Sequence, residues 1–197
     1  METISRVYDT YAQAQKAVAD LEANGIPSAD ISIVANKHVS DQYDGVADVN
    51  DSDAGAGAGI GAMVGGGAGL LTGLGLLAIP GVGPVVAAGW LASTAVGAVA
   101  GATAGGLIGA LVDSGESADD AEVYSESVRR GGSLVTVRTD DANAPKARSA
   151  LDGHRPINPM ERRAAYQKDG WTGFDQSAPD YTPTDADRER MRGRYRT

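Results

Sequence analysis

The chain has no cysteine, one phenylalanine and two tryptophans. The first absence excludes disulfides, thiolate metal sites and cysteine nucleophiles, and it fits a reducing compartment. The shortage of aromatics points to a small conventional core, because much of the apolar share is alanine. Histidine is scarce as well: His38 and His154 each sit in or beside a turn with no partner motif. No Ser/His/Asp arrangement and no pair of acids in an apolar setting is visible. The reading is therefore of a non-enzyme, with no catalytic, cofactor-binding or metal-ligating residues. Positive charge is also short. A net charge of −9 argues against general affinity for nucleic acid.

The longest absence is of charge. From Ala54 to Val112 there is no Asp, Glu, Lys, Arg or His. Small residues recur there every fourth position: Gly57, Gly61, Gly65, Gly69 and Gly73, then Gly89, Ser93, Gly97, Gly101, Gly105 and Gly109. Pro80, Gly81, Gly83 and Pro84 interrupt the pattern and read as a turn. The spacing predicts two helices, about Gly57–Ala78 and Pro84–Val112, folded into a glycine-zipper hairpin. A residue every four lies near one helical face, and a small one lets a partner backbone approach. Nine glycines from Gly57 to Gly75 would weaken an isolated helix by about 9 kcal/mol, so packing or lipid must compensate.

Three readings of this stretch are open: a membrane hairpin, a self-associating zipper in a soluble oligomer, and a flexible linker. The linker is disfavoured by the fixed period and by Leu70, Leu71, Leu74, Leu76 and Leu77. Each predicted helix is long enough to cross a bilayer. Against insertion stand the acidic flanks, since cytoplasmic flanks of inserted helices are normally basic. An apparent dinucleotide loop, Gly55 to Gly61, follows an Asp-rich segment and not a buried strand, so nucleotide binding is rejected.

Around this insertion lies an α+β pattern. Thr3–Tyr8 reads as a strand and Ala12–Asn24 as a helix with Ala14, Ala17, Val18 and Leu21 inward. Gly25 and Pro27 stop the helix, and Ile31–Val34 reads as a second strand, completing a first βαβ half over residues 1–36. Residues 37–53 form an acidic linker without the EF-hand arrangement. Residues 113–131 read as an acidic helix opened by Ser117, and residues 132–160 as a second βαβ half. Shifted by 130 positions the first half falls on the second, with Val7 on Val137, Lys16 on Lys146 and Leu21 on Leu151. Two such halves make a ferredoxin-like β-α-β-β-α-β plan, interrupted between its second and third strands by the hairpin. Ile157, between Pro156 and Pro159, is at best an edge strand. Residues 161–197 read as a flexible tail with isolated aromatics and arginine at every second position near its end.

The run Val7-Tyr8-Asp9-Thr10, Ala17-Val18, Leu21, Gly25-Ile26 and Ile31-Ser32-Ile33-Val34, followed by a Gly/Ala zipper, resembles the YflT-type heat-induced general stress proteins. Gly131-Gly132 before Leu134-Val135-Thr136-Val137 is similar to the bacterial members. The resemblance spans about residues 1–160. It implies induction under stress and a bacterial cytoplasmic setting, and it carries over no catalytic residue. The expected function is that of a general stress protein whose zipper drives homo-oligomer formation and contact with the inner membrane from its cytoplasmic side. A soluble ligand-sensing or scaffold oligomer on the same domain is the alternative.

Overall fold

The computed structural model describes residues 1–36, 75–91 and 106–185, together with 187 and 189. Over these residues it is a mixed α+β structure. Strands β1 (Glu2–Tyr8), β2 (Ile31–Ala35), β3 (Gly75–Ile79), β4 (Gly83–Ala88) and β5 (Ser133–Thr139) form one antiparallel sheet in the order β1-β5-β2-β4-β3. The helices are α1 (Tyr11–Ala23), α2 (Gly106–Asp113), α3 (Ala118–Arg129), α4 (Ala144–Asp152) and α5 (Pro159–Lys168).

Local chemistry sets the helix starts. Thr10 and Gln13 form a reciprocal capping box on α1: each side chain accepts from the other's backbone N–H, both at 3.1 Å. Ser117 caps α3 by accepting from Asp120 N–H, and Asn158 caps α5 by accepting from Met160 and Glu161 N–H. Pro145 sits in the first turn of α4, where its missing N–H costs nothing.

The strands alternate in what they bury. Ile4 and Tyr8 of β1, Ile31 and Ile33 of β2, and Val135 and Val137 of β5 face one layer. There they meet Ala14, Ala17, Val18 and Leu21 of α1 and Ala147 and Leu151 of α4. Val7, Val34 and Leu134 point to the other face and meet Leu107 and Leu111 of α2, Tyr124 and Val128 of α3, and Tyr166 of α5. Both faces of β1, β5 and β2 are thus covered by described helices. On the second face Ser5, Thr136 and Ser32 lie in one cross-strand row, all fully buried, and Ser32 Oγ accepts from Leu91 N–H at 2.9 Å.

β1 and β2 run parallel with β5 between them, joined through α1. The expected last strand is reduced to one ladder contact: Ile157 N–H donates to Val7 O at 2.8 Å on the outer edge of β1. Pro156 and Pro159 bracket that residue, so a longer ladder lacks donors.

The helical hairpin is corrected around its turn, whereas residues 106–112 of its expected second helix are helical in α2. Residues 75–79 and 83–88 are a β-hairpin and not helix. Ile79, Val85 and Val86 are β-branched and flank Pro80-Gly81-Val82, and Val82 N–H donates to Ile79 O at 3.0 Å to close the turn. Gly81 takes a φ of 75° there. β4 then fills the open edge of β2, pairing Val86, Ala87 and Ala88 with Ala35, Val34 and Ile33. Gly83 and Pro84, expected in the turn, open β4, and Pro84 lies beyond the stretch paired to β2. Gly89 ends the strand and packs no helix, whereas Gly109 does lie in helix α2. Gly57, Gly61, Gly65, Gly69, Gly73, Ser93, Gly97, Gly101 and Gly105 lie outside the described residues.

The tail also differs from expectation. From Pro159 the chain forms α5, and Tyr166, Trp171 and Phe174 pack into the second core layer. The alternating arginines beyond residue 187 lie outside the described residues.

Candidate functional site

Five separate stretches come together around a cavity of about 390 Å3. One wall is the end of β1, with Val7, Tyr8 and Asp9. A second is the C-terminal end of α3, with Ser127 and Arg130. The floor comes from Arg155–Asn158 and the inward side of α5. Tyr181 and Asp187 of the C-terminal stretch complete the enclosure.

The walls are held by charged pairs. Arg162 on α5 donates to Asp9 Oδ1 at 2.6 Å, tying the helix to the end of β1. Arg130 Nε donates to Glu126 Oε1 at 2.6 Å, and Arg129 donates to the same oxygen at 3.2 Å. Glu126 is only 1% exposed, and two guanidinium groups share its carboxylate. Burial works against the charge on Arg130, but the hydrogen bond and attraction to Glu126 outweigh it, so the pKa is raised.

Aromatic rings sit between these cations. The Arg130 guanidinium lies 4.3 Å from the centre of the Tyr166 ring and 5.4 Å from that of Tyr181. Tyr166 hydroxyl and Ser127 Oγ are 3.1 Å apart and buried, and burial raises the Tyr166 pKa. Asp187 accepts from the Tyr181 hydroxyl at 2.7 Å and from Thr184 N–H and Oγ, which folds that stretch back on itself. Arg163 and Trp171 add a further cation–ring contact at 5.7 Å.

Two charged groups at the cavity stand apart. Arg155 and Glu161 are exposed, and neither side chain enters a hydrogen bond or ion pair with another described residue. Arg155 has a φ of 55°, the left-handed region that residues other than glycine seldom adopt. It also precedes Pro156, which further restricts its backbone.

Elsewhere the polar groups are structural. His154 Nε2 lies 2.6 Å from Asp20 Oδ2, joining the end of α4 to α1. Glu116 accepts from Ser5 N–H at 3.1 Å on the outer edge of β1. Burial pushes the Glu116 carboxyl above the usual range, partly offset by its hydrogen bonding to Ser5. Among the described residues no group of three or more His, Asp or Glu could hold a metal ion, and no helix is long and apolar enough to cross a membrane.

The cavity escaped the sequence reading because its residues come from positions far apart in the chain, with no fixed spacing among them. The one local signal was Arg155 itself, set between Gly153-His154 and Pro156 in a turn.

The fold and this site define a mixed α+β domain braced by helix α5. Residues 3–77 match the family model of the heat induced stress protein YflT domain, and over that stretch the chain is similar to that family. The match takes in β1, α1, β2 and the start of β3, whereas β5, which sits between β1 and β2 in the sheet, lies beyond it. No curated protein and no solved structure matches the chain.

Proposed function

We propose that the chain acts as a non-enzymatic general stress protein that self-associates through its charge-free Gly/Ala segments. These segments, residues 54–74 and 92–105, are carried on a ferredoxin-like core (β1-α1-β2 with β5) widened by the β3–β4 hairpin. The observation that supports this reading is that described helices cover both faces of β1, β5 and β2. The core of the domain is accounted for, and two glycine-rich stretches without charge adjoin its hairpin edge. Long runs without charge, set in a chain of net charge −9, are suited to meeting another apolar surface. Small residues every four positions favour close backbone contact between copies.

The acidic flanks weigh towards protein contact over lipid, because the inner leaflet is itself negative. Fractionation of the native protein tests the reading. Membranes are washed with high salt and then alkaline carbonate, and the soluble fraction is sized by light scattering. A discrete soluble multimer is expected. A monomer in solution contradicts self-association, and retention in carbonate-washed membranes replaces it with lipid insertion.

A further inference from the structure

The cavity beside α5 has a feature that stress induction and self-association leave unused. Its two charged side chains without partners, Arg155 and Glu161, carry opposite signs. Asp9 is paired with Arg162, Arg130 with Glu126, and Asp187 accepts three hydrogen bonds. A simple anion at the mouth would satisfy Arg155 and meet Glu161; a simple cation would do the reverse. At longer range the chain's net charge of −9 repels anions. A ligand that carries both charges and no net charge meets neither objection.

The backbone at Arg155 adds an independent argument. With a φ of 55°, this position favours glycine, and the following proline narrows its choices further. Keeping an arginine there costs stability, and strain of this kind concentrates at ligand sites. What the position retains by having arginine is a planar fork matched to a carboxylate. Pro156 and Ala165, which are accessible, offer apolar surface for the rest of a ligand, in a volume of about 390 Å3. That volume is within the range of small-molecule sites.

We propose that this cavity binds a small zwitterion of the α-amino-acid class, its carboxylate on Arg155, its ammonium on Glu161 and its side chain directed towards Pro156 and Ala165. The paired groups Asp9–Arg162 and Glu126–Arg130 keep the walls in place.

The test is calorimetric titration of the full chain with the common α-amino acids, with matched carboxylic acids and amines that carry only one of the two charges, and with inorganic phosphate. At least one amino acid is expected to bind, and its one-charge analogues to bind at least about tenfold more weakly. Glu161→Gln is expected to weaken that binding by a similar factor. Arg155→Gly separates the ligand role from a structural one: relief of the backbone raises the melting temperature of the free protein while amino-acid binding falls. No binding of any amino acid at millimolar concentration overturns the proposal. So does tighter binding of phosphate or of a one-charge analogue, and so does unchanged amino-acid binding by Arg155→Gly.

Discussion

Gly89 shows how one residue changes meaning between sequence and structure. In the sequence it is one of several small residues spaced by four. In the fold it has a φ of 89°, and a Cβ placed there would lie 2.1 Å from Ile31 O and 2.8 Å from Ser32 Cα. Its glycine is required by the close passage of the chain over β2 as β4 ends. Gly89→Ala is therefore expected to destabilise the domain by on the order of 3 kcal/mol, measured by urea unfolding. A change within about 0.5 kcal/mol would contradict the close approach. Glu116 supplies a residue-scale prediction with a pH axis. Its folded pKa is raised, so the proton is held more tightly in the folded state than in the unfolded chain. The stability this contributes is complete below the ordinary glutamate range and is lost as pH rises through the folded value. Glu116→Gln keeps an acceptor for Ser5 N–H without a charge. The variant should match the parent below about pH 4 and exceed it in urea midpoint at neutral pH. Equal midpoints at both ends would mean that the carboxylate costs the fold nothing.

The elements differ in how openly the sequence announced them. α1 and β5 were legible because periodicity, caps and β-branched residues agree: Ala14, Ala17, Val18 and Leu21 are the buried face of α1, and Leu134, Val135 and Val137 are buried in β5. β3 and β4 were misread because a short apolar run suits either a strand or a buried helix, and the four-residue glycine period favoured the helix. The contrary signal was present in Ile79-Pro80-Gly81-Val82, a turn between two apolar runs, with the adjacent β-branched pair Val85-Val86 beyond it. α5 was missed because its face depends on distant partners: Tyr166 is buried against the end of α3, the Trp171 ring and the cation above its own ring. That dependence makes Arg130 the clasp for the C-terminal stretch. Arg130→Met keeps an apolar stem but removes the charge shared with Glu126 and the contacts to Tyr166 and Tyr181. Arg129 still pairs with Glu126, so the expected cost is roughly 2 kcal/mol, below that of a fully orphaned buried charge. Hydrogen exchange should quicken across residues 171–185 while β5 remains protected. Unchanged exchange there would show that the clasp lies elsewhere.

At the scale of the whole molecule, the domain combines a sheet whose strands β1, β5 and β2 are covered on both faces with two uncharged Gly/Ala segments that interrupt its described elements. The order of charge along the chain reinforces the division. Acidic residues precede Ala54 and follow Val112, so the charge-free stretches are bounded by groups that repel one another and remain hydrated. An assembly built on the glycines has to overcome that repulsion, and it should therefore strengthen with salt. The most direct test of self-association is light scattering of the native chain beside the double variant Gly65→Leu and Gly101→Leu, at low and high salt, with circular dichroism to follow the domain. A multimer that grows with salt in the native protein and falls to monomer in the variant, at unchanged circular dichroism, is the predicted result. A variant with the same mass as the native protein would contradict assembly through the glycines.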